Sequence, residues 1–197
     1  MGKTKKVLFH APILEFPPKG GPEVSVINAI KALSHVSNLY VTTTVSSDKH
    51  KSDSAKTFFA LHCQKIVYLP TSRICASNHW LDAQLSRLRR FCAPLFAILD
   101  VPFIIRTSIK YRTDVFWIDR VLEKAFYVLY LLRKFKPSAV IVGDTEAVHS
   151  RFIRRELPMI EGTFRRCYVS FRGQLAERHE KLLIALASYV TAVSLHD

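Results

Sequence analysis

Cysteine is sparse and scattered along this chain. Cys63, Cys75, Cys92 and Cys167 form no C-x-x-C pair and accompany no paired histidines. That spacing excludes the common zinc-finger patterns and supplies no disulfide framework. Buried, reduced thiols in a reducing compartment are expected. No H-E-x-x-H, G-x-S-x-G or Walker A pattern occurs, so a peptidase, a serine hydrolase and a P-loop enzyme all lack local support. The G-x-G-x-x-G dinucleotide fingerprint is missing, and glycine itself is rare, at six residues. Apolar runs such as 91–99 and 125–132 stop well short of the roughly 20 residues that span a bilayer. The basic start, Met1-Gly-Lys-Thr-Lys-Lys6, leads into a strand-like stretch that reaches Pro12, without the apolar core and cleavage site of a signal peptide. Gly2 with Lys6 does not make a myristoylation pattern either. A chain that does not cross a membrane is expected.

Acidic residues are the other shortage. Sixteen Asp and Glu face 29 Lys and Arg, a net charge of +13. Such an excess calls for an acidic partner, whether phosphate, nucleic acid or an anionic membrane surface; its ordinary alternative is solubility alone. With 49% hydrophobic and 23% charged residues the composition is globular, and the length suits one sizeable core or a domain and a half.

What is present begins with Val7-Leu-Phe-His-Ala-Pro-Ile13, a short apolar run read as a buried strand. Residues 14–23, punctuated by Pro17, Pro18, Gly20, Gly21 and Pro22, read as a loop. Val24, Ile27, Ile30 and Leu33 then recur at helical spacing. Pro22 suits the first helical position, and Glu23 suits the positive end of the helix dipole. A strand, a glycine-bearing loop and a helix start form an anion site: its backbone N–H groups are unpaired, and glycine admits close approach. Further strands are expected at 38–44, 65–69, 139–142, 167–171 and 189–193, with helices at 80–99 (divided by Pro94), 114–136, 145–156 and 174–187. Residues 46–56 and 71–79 read as loops. Alternating strands and helices predict an α/β fold, with a mostly parallel sheet covered on both faces. Gly20, Gly21, Gly143 and Gly173 each follow a predicted strand, at the carboxyl edge where such sheets bind ligands.

Several of these stretches resemble a known family. Lys6-Val-Leu-Phe-His-Ala-Pro12, Gly20-Gly-Pro-Glu through Lys31-Ala-Leu33, and Leu39-Tyr-Val-Thr-Thr-Thr44 are similar to the start of GT-B glycosyltransferases of family 4. Lys136-Pro-Ser-Ala-Val-Ile-Val142 and Ala187-Ser-Tyr-Val-Thr-Ala-Val-Ser194 resemble later strands of the same N-terminal domain, in the same order. The resemblance implies a three-layer Rossmann-like domain over 1–197 that holds the acceptor. It also implies a second, nucleotide-sugar-binding domain, expected in trans or downstream because its glutamate-rich motif is not in this sequence. Gly20, Gly21, Pro22 and Glu23 would lie against the donor diphosphate. His10, Asp144, Glu146 and Arg172 are acceptor-side candidates. Where family members often carry histidines, this chain has Gly143-Asp144-Thr145-Glu146 and Phe171-Arg172-Gly173. Each candidate has an ordinary alternative as a core residue, strand cap or surface ion pair.

The implied activity is transfer of a sugar from a nucleotide-sugar to a glycan or lipid-linked acceptor, with no metal and no cofactor beyond the donor. Catalytic residues are not identified, and the half alone is expected to be inactive. Residues 84–136 hold eleven Lys and Arg against four acids, interleaved with aromatics and aliphatics. Arg87, Arg89, Arg90, Lys110 and Arg112 are therefore candidates for a face lying on an anionic membrane. That placement implies a cytoplasmic protein, peripheral on the inner face of a membrane. Two alternatives stand beside the transferase: a non-catalytic docking subunit, and a basic α/β domain binding nucleic acid, for which no recognised module is present.

Overall fold

The computed structural model describes residues 5–74, 93–121, 124–145 and 148–192. Six strands form one sheet in the order β3-β2-β1-β4-β5-β6, every neighbouring pair parallel. They are β1 (Lys6–Ala11), β2 (Asn38–Thr43), β3 (Lys65–Tyr68), β4 (Val115–Ile118), β5 (Val140–Thr145) and β6 (Tyr189–Ala192). The helices are α1 (Gly21–Val36), α2 (Asp53–His62), α3 (Pro70–Ile74), α4 (Ala93–Tyr111), α5 (Lys124–Phe135), α6 (His149–Glu156) and α7 (Thr163–Leu186), with 3-10 turns at Ser47–His50 and Leu157–Met159.

Side chains alternate across a strand, so each strand feeds two cores. On one face Val7, Phe9 and Ala11 of β1 meet Leu39 and Val41 of β2, covered by Val26, Ile27 and Ile30 of α1 and by Phe59 of α2. On the other, Leu8, Phe116, Ile118 and Ile141 pack under Val101 and Ile104 of α4, Leu129 and Leu132 of α5, and Leu183 of α7. The fold is therefore a Rossmann-like α/β domain with helices on both faces. No described helix is long and apolar enough to cross a membrane.

The structure corrects several sequence expectations. Residues 114–136 are not one helix. Val115-Phe-Trp-Ile118 is the central strand β4, entered through Asp114, whose N–H donates to Lys6 O and whose Oδ2 accepts from Lys6 N at 2.9 Å. A four-residue apolar run fits either period, and pairing with β1 and β5 decides it here. Residues 167–171 are not a strand but part of α7. Gly173, read as a strand-end glycine, is where α7 closes on α6: a Cβ there would meet Ile153 Cγ2 at 3.1 Å. Gly143 lies inside β5, not beyond it, and is buried beneath Leu183. Finally, the polar stretch expected as a loop carries the 3-10 turn and the start of α2, where Ser52 Oγ caps Ala55 N at 3.2 Å. The expected 71–79 loop begins as α3. The predicted helix at 80–99 lies largely outside the described residues; its visible part, α4, has Pro94 in its first turn and runs on through Pro102 to Tyr111.

Candidate functional site

In this strand order the connections diverge between β1 and β4. The chain leaving β1 goes to α1 on one face, and the chain leaving β4 goes to α5 on the other. The carboxyl ends of these two strands therefore flank a crevice, the usual ligand position in an open parallel sheet.

Four groups stand around it. His10, one residue from the end of β1, is buried, with Nδ1 3.2 Å from Thr42 Oγ1. Asp119 follows β4 directly, and its N–H donates to His10 O at 3.0 Å. The Asp119 carboxylate is 4% exposed and the Arg120 guanidinium 13%, with Nε and Oδ2 3.9 Å apart. Arg120 also takes φ +50°, a left-handed conformation that a side chain adopts at a cost of about 1–2 kcal/mol. Asp144, near the end of β5, accepts from Thr191 Oγ1 at 2.8 Å, and its carbonyl accepts from Val121 N. While 114–136 reads as one helix, Asp119 and Arg120 carry no site signal in the sequence. A β-branched and aromatic quartet before an Asp-Arg pair was the available signal.

The glycine loop enters the same edge. α1 starts on an extended Gly20, with no side-chain cap, and Pro22 occupies its second position. Gly21 is exposed, and a Cβ on it would meet nothing within 4 Å. The first-turn amides of Gly20, Gly21 and Glu23 are thus open to an anion, Pro22 having none. One carboxylate of the chain itself is nearby: Glu23 Oε2 lies 3.1 Å from where a Gly20 Cβ would sit. It fills the position from which a helix start attracts negative charge.

This loop is held by its own Leu14, Glu15 and Phe16 and by residues from Lys49 to Tyr68. Leu14 is fully buried, and Phe16 stacks on Phe58 of α2 at 4.8 Å and meets Phe59 edge-on at 6.0 Å. Glu15 sits between Lys19 at 3.7 Å and Lys49 at 3.6 Å. His50 is the clasp. Its Nε2 lies 2.6 Å from Leu14 O, which can only accept, so Nε2 carries the proton. In the neutral ring Nδ1 then accepts from Tyr68 OH at 3.0 Å. Burial is the main cause that pushes the His50 pKa below its ordinary 6.5, outweighing the Leu14 carbonyl and Glu15. The folded state therefore favours the neutral ring, and the unfolded chain takes up the proton first. This contribution to stability is complete above about pH 6.5 and is lost as pH falls below it. His50→Gln is expected to flatten the pH dependence of the melting temperature between pH 7 and 5. A slope as steep as the parent's would remove His50 as its source.

The other sequence candidates are placed elsewhere. Arg172 is in the middle of α7 and lines a cleft against α6, not a strand end. Lys110 and Arg112 are exposed where α4 ends, at the amino edge of β4, opposite the crevice. Glu146, Arg87, Arg89 and Arg90 lie outside the described residues. Arg133, counted within the same basic stretch, is consumed internally: it donates to the carbonyls of Leu186, Pro137 and Ala139 and to Ser188 Oγ. Of the thiols, Cys63 is half-buried and pushed up to about 12 by burial, whereas Cys167 is exposed, contrary to the buried state expected for it.

No family model matches the chain, and no curated protein matches it in sequence. Among solved structures it is similar to a provisionally assigned UDP-N-acetylglucosamine 2-epimerase from Listeria monocytogenes, at 9% identity and a TM-score of 0.49, over 97% of this chain and 39% of that one. It is also similar to an O-ureido-L-serine synthase at 13% identity, a TM-score of 0.25, and 74% and 46% coverage of the two chains. An O-acetylserine sulfhydrylase isoform 3 from Entamoeba histolytica follows at 11% identity, a TM-score of 0.24, and 77% and 45% coverage. The chain thus spans less than half the length of each, and likeness at this level carries no chemistry to it.

Proposed function

We propose that this chain is the acceptor-side half of a glycosyltransferase that moves a sugar from a nucleotide-sugar to a glycan or lipid-linked acceptor. The observation that carries this reading is the open start of α1. Uncapped amides at Gly20 and Gly21 lie at the same sheet edge as His10, Asp119, Arg120 and Asp144, beside the crevice between β1 and β4. A diphosphate fits the amide cluster, since a helix start favours negative charge by about 0.3–1 kcal/mol at an exposed site. The carboxylates and the histidine beyond it have the chemistry to hold sugar hydroxyls. The reading requires a second, donor-binding unit facing this edge, and the resemblance of 6–44, 136–142 and 187–194 to family 4 enzymes supports it.

Inorganic pyrophosphate is the direct probe, titrated by calorimetry at low salt. Glu23→Gln removes the competing carboxylate and is expected to tighten binding by about two- to fivefold. Gly20→Asp has the opposite effect. The extended backbone at Gly20 admits a side chain once the Glu23 carboxylate, 3.1 Å from the added Cβ, swings aside, and an aspartate there caps the amides itself. Binding should disappear while the melting temperature holds or rises. If Gly20→Asp binds pyrophosphate like the parent, the diphosphate site is not at α1.

A further inference from the structure

α7 is apolar on two sides. One side carries Gly173 and Leu183, which pack against Ile153 and Gly143. On the other, Phe164, Tyr168, Phe171, Leu175 and Leu182 recur at intervals of four, three, four and seven residues, with Arg178 completing the series. That is the a/d spacing of a coiled-coil seam, sustained over about 27 Å of helix. The described chain leaves the seam uncovered: its five apolar side chains are from 38% (Leu175) to 95% (Phe164) exposed. A continuous apolar stripe of this kind marks an interaction surface.

We propose that the seam binds a second copy of itself, running antiparallel, in a two-fold dimer. The order of its residues is self-complementary about the level of Gly173. Reversing one helix on the other sets Phe164 against the partner's Leu182 and Phe171 against the partner's Leu175, a ring facing a smaller aliphatic chain each time. Arg178, the one charged member, then falls opposite the partner's Tyr168, where a guanidinium over a phenol ring gains a cation–π contact. The two-fold axis makes each of these contacts twice. Parallel packing would instead set Arg178 against its own copy, like charge against like. Of the residues flanking the axis, Gln174 is neutral, and Arg172 is half-buried and already engaged within its own chain. At about 200 Å² for a whole aromatic side chain, the exposed parts of Phe164, Tyr168 and Phe171 amount to about 400 Å² per copy. Two copies bury about 800 Å² before the leucines are added, which brings the contact to the roughly 1,000 Å² of a specific interface. A reversible dimer is the expected form. The seam stands apart from the α1 amides and does not depend on the function proposed above.

Sedimentation equilibrium of the 197-residue chain over a dilution series reads the association. The average mass is expected to rise with concentration towards twice that of the monomer. Phe171→Glu should stay at monomer mass throughout, with an unchanged circular dichroism spectrum. Arg178→Gln should weaken association about tenfold, the scale of two lost cation–π contacts. Direction is read by disulfides in a Cys167→Ser background. Phe164→Cys and Leu182→Cys chains, mixed in a glutathione buffer, should link mainly one to the other. Linkage of each chain to its own kind would overturn the antiparallel register. A dimer that survives Phe171→Glu would put the contact elsewhere and overturn the proposal. A chain that stays monomeric at every concentration would overturn it as well, and flotation of that monomer with anionic vesicles would give the seam to lipid instead.

Discussion

Leu183→Ala is expected to lower the unfolding free energy by about 3–5 kcal/mol, as fully buried leucines do when their cavity cannot collapse. Leu183 is 2% exposed and is the contact through which α7 closes the sheet over β5. Its partner below is Gly143, where a Cβ would stand 2.6 Å from Leu183 Cδ1, 3.3 Å from Val121 Cγ2 and 3.4 Å from Leu129 Cδ1. Gly143→Ala alone should therefore overpack the site and cost about 1–3 kcal/mol. The double variant separates this account from two unrelated injuries. With the leucine gone, the added methyl enters the vacated space, so the combined loss should fall clearly below the sum. Urea denaturation of the four proteins reads it. Additive losses would mean that Gly143 and Leu183 do not share a contact.

Arg133→Ala is expected to cost about 2–3 kcal/mol, large for a residue that is only half-buried. Its guanidinium reaches Leu186 O at 2.7 Å, Pro137 O at 2.6 Å, Ala139 O at 2.9 Å and Ser188 Oγ at 3.0 Å. Those acceptors belong to the ends of α5 and α7 and the approaches to β5 and β6, so one planar group ties four segments. Hydrogen bonds to a charged donor contribute about 1.5–3 kcal/mol each, though water replaces part of the loss at an exposed carbonyl. Arg133→Lys should recover little, because an ammonium cannot address this divergent set in one plane. Thermal melts of the two variants within about 2 °C of each other, both well below the parent, are the expected result. A lysine variant as stable as the parent would show that charge alone suffices.

These residues also show what could be read in advance. β1, β2 and the interior of β5 are continuous or β-branched runs buried on both faces, and such runs announce themselves. The glycine loop was legible because Pro17, Pro18, Gly20, Gly21 and Pro22 leave the chain no regular alternative. The central strand β4 was not, because four apolar residues followed by an amphipathic helix satisfy the helical period as well as the extended one. Only pairing with β1 and β5 selects the strand. That error hid Asp119 and Arg120, the two most deeply placed charged residues at the crevice. α2 was obscured by a polar start, although Ala55, Phe58, Phe59 and His62 keep helical spacing. A count of basic residues over 84–136 says nothing of what Arg133 does, and the fold uses it as a tie.

The pairing of β1 with β4 carries a consequence for how the protein is made. Lys6 and Asp114 meet across 108 residues, so the first strand leaves the ribosome long before its inner neighbour is synthesised. At about 5–20 residues per second that interval is roughly 5–20 s. During it, one edge of an apolar β-segment stays open to other nascent chains. Chaperone capture and rapid translation through this interval are therefore the conditions under which the protein should be recovered in good yield.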